Sequence, residues 1–224
     1  MATTMEYIDI NGTRVPIIFE NDNRLPLVNM QFAFTNSGSI TDTKKAGLAK
    51  LSAKLMNQGT KELGSSKFAD SLESKAIQVS AATGVETFVI EVGSLKEQFD
   101  EALGNLEALL KDPNYTQETV DKIKTMTIGA LSSKENNFDY VADNELKSIL
   151  FKGTVLAQAS AGTTKTVNSI ELKDIQGFVN KHLTQSNLIV VLGGDIDYED
   201  AKKKISQVIQ TLPVGEVMSI KHYS

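Results

Sequence analysis

Polar and apolar residues alternate over positions 27–35, where Val28, Met30, Phe32 and Phe34 share one parity, which predicts a strand with one buried face. Positions 7–10 and 14–19 read as two shorter strands around Asn11-Gly12, a pair that favours a type I′ hairpin turn. Pro16 lacks an N–H for a sheet ladder and puts part of the second strand at an edge. Over 44–58 the period changes to that of a helix. Leu48, Leu51, Leu55 and Met56 then face a core, while Lys50, Ala53 and Lys54 fall together on another face. Gly59-Thr60 ends this helix, and Ser65 or Ser66 caps a short one carrying Phe68, Leu72 and Ala76.

Strands are predicted at 78–82 and 87–92, paired through 83–86. Ser94 and Glu97 have capping-box spacing ahead of a helix bearing Leu95, Phe99, Leu103, Leu106 and Leu110, stopped at Asp112-Pro113. Thr116 opens a helix with Val120, Ile123, Thr127 and Leu131 inward, and Asp139 opens another with Ala142, Leu146, Ile149 and Leu150. Positions 151–166, rich in Gly, Ala, Ser and Thr, read as a long loop without the spacing of a phosphate-binding loop. Asn168 or Ser169 caps a helix with Leu172, Ile175, Phe178 and His182 or Leu183. A continuous apolar run at 188–192 is a buried strand, and Asp197 caps a last helix with Ala201, Ile205, Val208 and Leu212, which Pro213 stops. About six strands and six or seven helices in mixed order imply an α+β fold. The expectation is a single mixed, largely antiparallel sheet with helices mainly on one face, a domain over 1–213, and a linker or tail over 214–224.

Composition narrows the chemistry. The 224 residues carry a net charge of −5 with both signs interspersed, so no basic tract calls for nucleic acid. No run approaches the ~18 apolar residues of a membrane helix. Cysteine is absent, which excludes disulfides, cysteine–zinc sites and a thiol nucleophile. Only His182 and His222 are available, so a site of two or three histidines is not expected; His182, near a helix end, packs or serves as a terminal cation. The acidic group Asp195, Asp197, Glu199 and Asp200 fits a helix N-terminus, where carboxylates favour the dipole, better than an ion site. Residues 1–7 lack the charged and apolar regions of a secretory leader, and whether 1–4 replace one is left open.

The stretch 47–60, Gly-Leu-Ala-Lys-Leu-Ser-Ala-Lys-Leu-Met-Asn-Gln-Gly-Thr, resembles the zinc-site helix of the insulinase/pitrilysin/mitochondrial-processing-peptidase family, with Lys50, Ala53 and Lys54 where its H-x-x-E-H motif has His, Glu and His. Further matches keep the family's order: Asn36-Ser37-Gly38-Ser39 ahead of that helix, Gln58-Gly59-Thr60 after it, Val-Leu-Gly-Gly-Asp at 191–195, and Thr211-Leu212-Pro213. The resemblance implies one unit of a larger chamber. It also implies that Ser80, Ala81, Ala82 and Thr83 form the strand with which active members pair an extended peptide.

The substitutions remove the chemistry. Zinc requires a neutral imidazole, carboxylate or thiolate. Deprotonating a lysine of reference pKa 10.4 at pH 7 costs about 4.6 kcal/mol. Ala53 has no ionisable group to act as a base. The later helix that supplies the family's third ligand has no carboxylate over 122–134; Glu135 lies beyond the helix pattern and would need a register shift. The chain is therefore expected to bind no metal, to need no cofactor and to be inactive by itself. It would complete a two-component zinc peptidase with a catalytic H-x-x-E-H subunit and help hold peptide, or act as a scaffold of the same fold. Lys50 and Lys54 form either a solvated helix face or the wall of a former cleft that takes a partner or an anionic group. The resemblance implies a periplasmic bacterial location, with the cytoplasm as the alternative.

Overall fold

The computed structural model describes residues 3–10 and 12–217. Six strands form one sheet: β1 (Thr4–Ile10), β2 (Thr13–Asn21), β3 (Leu27–Thr35), β4 (Gln78–Thr83), β5 (Thr87–Leu95) and β6 (Leu188–Gly194). Their spatial order is β1-β2-β6-β3-β5-β4, antiparallel throughout except for the parallel β2–β6 pair. β6 thus inserts between the N-terminal hairpin and β3, and β4 is an edge. The helices are α1 (Leu48–Met56), α2 (Gly64–Glu73), α3 (Phe99–Lys111), α4 (Gln117–Lys134), α5 (Phe138–Leu150), α6 (Thr164–Asn168), α7 (Leu172–His182) and α8 (Tyr198–Ile209).

The alternation over 27–35 sets the register. Phe32 lies opposite Val190 on one side and Ile90 on the other, and the row runs on to Ile17 and Ala81. All five are buried. The opposite face carries Asn29, Gln31 and Glu91 in water. Helices therefore cover one face: α1, α2 and α3 pack on β4 or β5, and α8 lies against β1 and α3. Pro16 sits where the sequence placed it, since pairing of β2 with β6 starts only at Ile17. Asn11, half of the expected turn, lies outside the described residues, and Gly12 takes φ +83°.

Several local expectations give way to tertiary constraints. α1 starts at Leu48, not near 44, because Gly47 is left-handed at φ +94°, and a Cβ there would approach Ala161 O to 2.7 Å. Ser65 and Ser66 lie inside α2 rather than capping it, and Ala76 falls beyond its end at φ +53°. Ser94 is no cap: it lies within β5, which runs to Leu95, and α3 begins at Phe99. The loop over 151–166 ends in α6, capped reciprocally by Thr163 and Thr166. Glu171 with Asp174, not Asn168 or Ser169, caps α7. α5 forms as expected but buries none of its residues; Leu146, Ile149 and Leu150 are exposed. At the C-terminal end, Ser186 N–H and Oγ donate to Val214 O at 3.0 and 2.8 Å. Residues 218–224 of the expected tail lie outside the described residues.

Candidate functional site

α1 is held on two sides. Ala49, Ala53 and Met56 enter the core above the sheet, while Leu51 and Leu55 pack with Val120 and Ile123 of α4 and with Ile170 and Ile175 around α7. Its N-terminus is fixed by Asp42, a buried carboxylate that accepts from Gly47 N–H and Ala49 N–H, each at 3.0 Å. Burial pushes Asp42 up to about 7, against the opposing pull of backbone hydrogen bonds from Ala49, Gly47 and Leu48. Asp42 lies five residues before Gly47, at none of the usual capping spacings, so the sequence pattern does not reveal it.

The three positions at the motif part company. Ala53 is 3% exposed and belongs to the core, so the face it shares with the lysines turns into the core at that position. Lys50 and Lys54 instead line a small cavity, about 70 Å³, closed on its other side by Thr127, Ala130, Leu131 and Lys134 of α4 and by Ala161. Lys54 turns inward and donates to Thr127 Oγ1 at 2.9 Å. Desolvation, followed by the charges of Lys50 and Lys134, lowers its pKa from the ordinary lysine value. Glu135 is not in this cavity; it caps the end of α4 and faces the cleft beside Tyr140 and Val141.

This donor set does not fit zinc. It offers ammonium groups and one hydroxyl, with no imidazole, carboxylate or thiolate, and a protonated lysine has no lone pair to give. Among the described residues no group of three His, Cys, Asp or Glu side chains is placed to hold a metal ion. His182 is buried against Phe178, with ring centroids 4.7 Å apart, and its Nδ1–H donates to Asn36 O at 2.9 Å. Burial lowers its pKa, so it packs rather than serving as a terminal cation. Asp197 caps α8 by accepting from Asp200 N–H at 2.9 Å, the role its position predicted.

Ser80, Ala81, Ala82 and Thr83 lie together on edge strand β4, beside the C-terminal end of α1. The edge is not bare. Asn57, just past α1, accepts from Ala81 N–H at 2.7 Å and donates from Nδ2 to Ala81 O at 2.9 Å. Its carboxamide occupies both outward groups of Ala81 as a neighbouring strand would. The sequence offered Asn57 only as a residue within the helix over 44–58; a carboxamide is the one neutral side-chain group that both donates and accepts like a peptide.

The family model described as Insulinase (Peptidase family M16) matches residues 27–164. The non-peptidase homolog YmxG of Helicobacter pylori is 40% identical over 215 residues, covering 96% of this chain and 50% of that protein. Among solved structures, the inactive domain of a peptidase M16 from Pseudomonas fluorescens superposes with a TM-score of 0.90 at 21% identity, over 98% of this chain and 53% of that one. The first half of the periplasmic protease PqqL from Escherichia coli superposes with a TM-score of 0.82 at 16% identity, over 98% and 48%. The chain thus spans about half the length of the relatives it matches. The matched span contains α1, both lysines and edge strand β4, and the chain belongs to the insulinase family of peptidases, as a degenerate member.

Proposed function

We propose that this chain is the non-catalytic domain of a two-component zinc metallopeptidase. It completes the chamber and helps hold an extended peptide, while a companion with an intact H-x-x-E-H helix supplies zinc, water and base. The observation that carries this is the state of α1: the helix, its N-terminal anchor and its packing are kept, but its would-be ligand positions present Lys50 and Lys54 to Thr127 and Lys134. A fold preserved around a site without ligands fits a part retained for assembly. The naming of one homologue as a non-peptidase, and of a structural neighbour as an inactive domain, points the same way. We place the assembly in the periplasm.

Strand addition at β4 is the way such a domain would grip peptide. A peptide pairing there must displace Asn57 from Ala81 or bind to either side of it. The alternative, a structural scaffold without a part in proteolysis, is favoured by that same contact, because it fills the edge.

The test is to tag the full-length parent in its own cells, identify its companions and assay them. The proposal expects a companion with an H-x-x-E-H helix, chelator-sensitive peptide turnover by the pair that exceeds turnover by the companion alone, and none by the tagged chain. Unchanged turnover on pairing leaves the scaffold reading. Chelator-sensitive cleavage by the purified chain alone overturns both.

A further inference from the structure

Some lysines form ion pairs on the surface, among them Lys45 with Asp174, Lys75 with Glu101, Lys96 with Asp195, Lys111 with Glu107, and Lys204 with Asp100 and Asp200. Lys50, Lys54 and Lys134 are distinguished by their grouping. They converge on one cavity whose described lining contains no acidic residue. Lys134 is further steadied by the Tyr140 ring, 5.2 Å from its Nζ. A solvated helix face would extend each ammonium group into water along its flexible stem. Here Lys54 folds inward onto Thr127, a buried threonine, in a space bounded by Leu51, Ala130 and Leu131. Lys50 and Lys134 are exposed at the mouth and Lys54 is half-buried behind them; their like charges repel one another, and an anion between them converts that repulsion into attraction.

We propose that the cavity between α1 and α4 is a binding site for one small oxyanionic group, a carboxylate, held by the ammonium groups of Lys50, Lys54 and Lys134. The volume of about 70 Å³ has room for a carboxylate. Thr127 is already the acceptor for Lys54, which orients that ammonium group and leaves its other two N–H groups for the ligand. The site does not depend on the peptidase-subunit reading, since a scaffold would carry it equally. The carboxylate comes either from a free small acid or from a glutamate side chain presented by a peptide or a neighbouring chain; the chemistry of capture is shared.

The experiment titrates the chain, with its amides followed by NMR at constant ionic strength, using acetate, a blocked Ala-Glu-Ala tripeptide and its Ala-Gln-Ala counterpart, with chloride as the balancing anion. The expected result is a saturable shift of amides in 50–54 and 127–134 with acetate or the glutamate peptide, and none with the glutamine peptide. Saturation by acetate alone assigns a free acid; saturation by the glutamate peptide assigns a side chain. In Lys50→Gln/Lys134→Gln the midpoint should rise at least tenfold while amides elsewhere keep their positions. Lys54→Met, which removes the inward ammonium group, should do the same. Absence of a saturable shift with both ligands overturns the proposal, as does an unchanged midpoint in the folded double variant.

Discussion

Ala53 shows how much a single side chain decides. The position that needs a carboxylate for proteolysis is 3% exposed and packed in the main core. Ala53→Glu therefore places a carboxylate in apolar surroundings, and a loss of at least about 2 kcal/mol is expected in urea unfolding at pH 7. Restoring the base alone thus costs stability before any chemistry is gained. Asp42 makes the opposite point, as an acid kept for architecture. Its folded pKa of about 7 lies above the ordinary carboxylate value of 3.8, so between those pH values the folded chain holds a proton that the unfolded chain has released. Stability from this group is complete below about pH 4 and is lost as pH rises through about 7, by up to about 4 kcal/mol. His182 has the reverse sign: its lowered pKa gives stability present above about pH 6.5 and lost as pH falls through the folded value. The Asp42 share is isolated by comparing unfolding of the parent and Asp42→Asn from pH 4 to 8. The variant should lack the downward slope and retain the histidine one.

Among the elements, the pairing of α1 with β4 rests on one contact that no periodicity displays. Removing the carboxamide in Asn57→Ala deletes two hydrogen bonds to Ala81. A loss of about 1–2 kcal/mol is expected, together with faster hydrogen exchange at the Ala81 amide. If β4 receives peptide, the same variant should bind an extended peptide more tightly, since the competing group is gone. α4 and α5 provide a contrast between similar sequence patterns. Leu131 of α4 is 6% exposed, and Leu131→Ala should cost about 2–4 kcal/mol. Phe138 of α5 is 89% exposed, and Phe138→Ser should change the unfolding free energy by no more than about 0.5 kcal/mol. The amphipathic spacing of α5 announced a helix correctly, yet spacing says only that an apolar face exists and not that this chain covers it.

Across the whole molecule, the arrangement joins a sheet covered on one face to a site helix that contains no metal ligand. A chelator should leave the thermal midpoint of the chain unchanged, because neither the core nor the Lys50–Lys54–Lys134 cavity offers donors to a cation; a scan with and without chelator checks this. Most strands and helices, though not α6 or several helix starts, the buried parity of β3, the α+β class and the loss of the zinc motif were legible along the chain. Each follows from local rules: side-chain period, turn chemistry, and the lone pairs a residue type can offer. Three-dimensional packing decided the rest. It inserted β6 beside β2 in parallel, buried Ala53 in the core, set Asp42 over the start of α1, closed Asn57 onto Ala81, and brought Lys134 to Lys50 and Lys54, which lie at least 80 residues earlier in the sequence. These are contacts between residues distant in the chain. Their existence depends on which surfaces meet once the sheet has formed, and no pattern within a single segment records that.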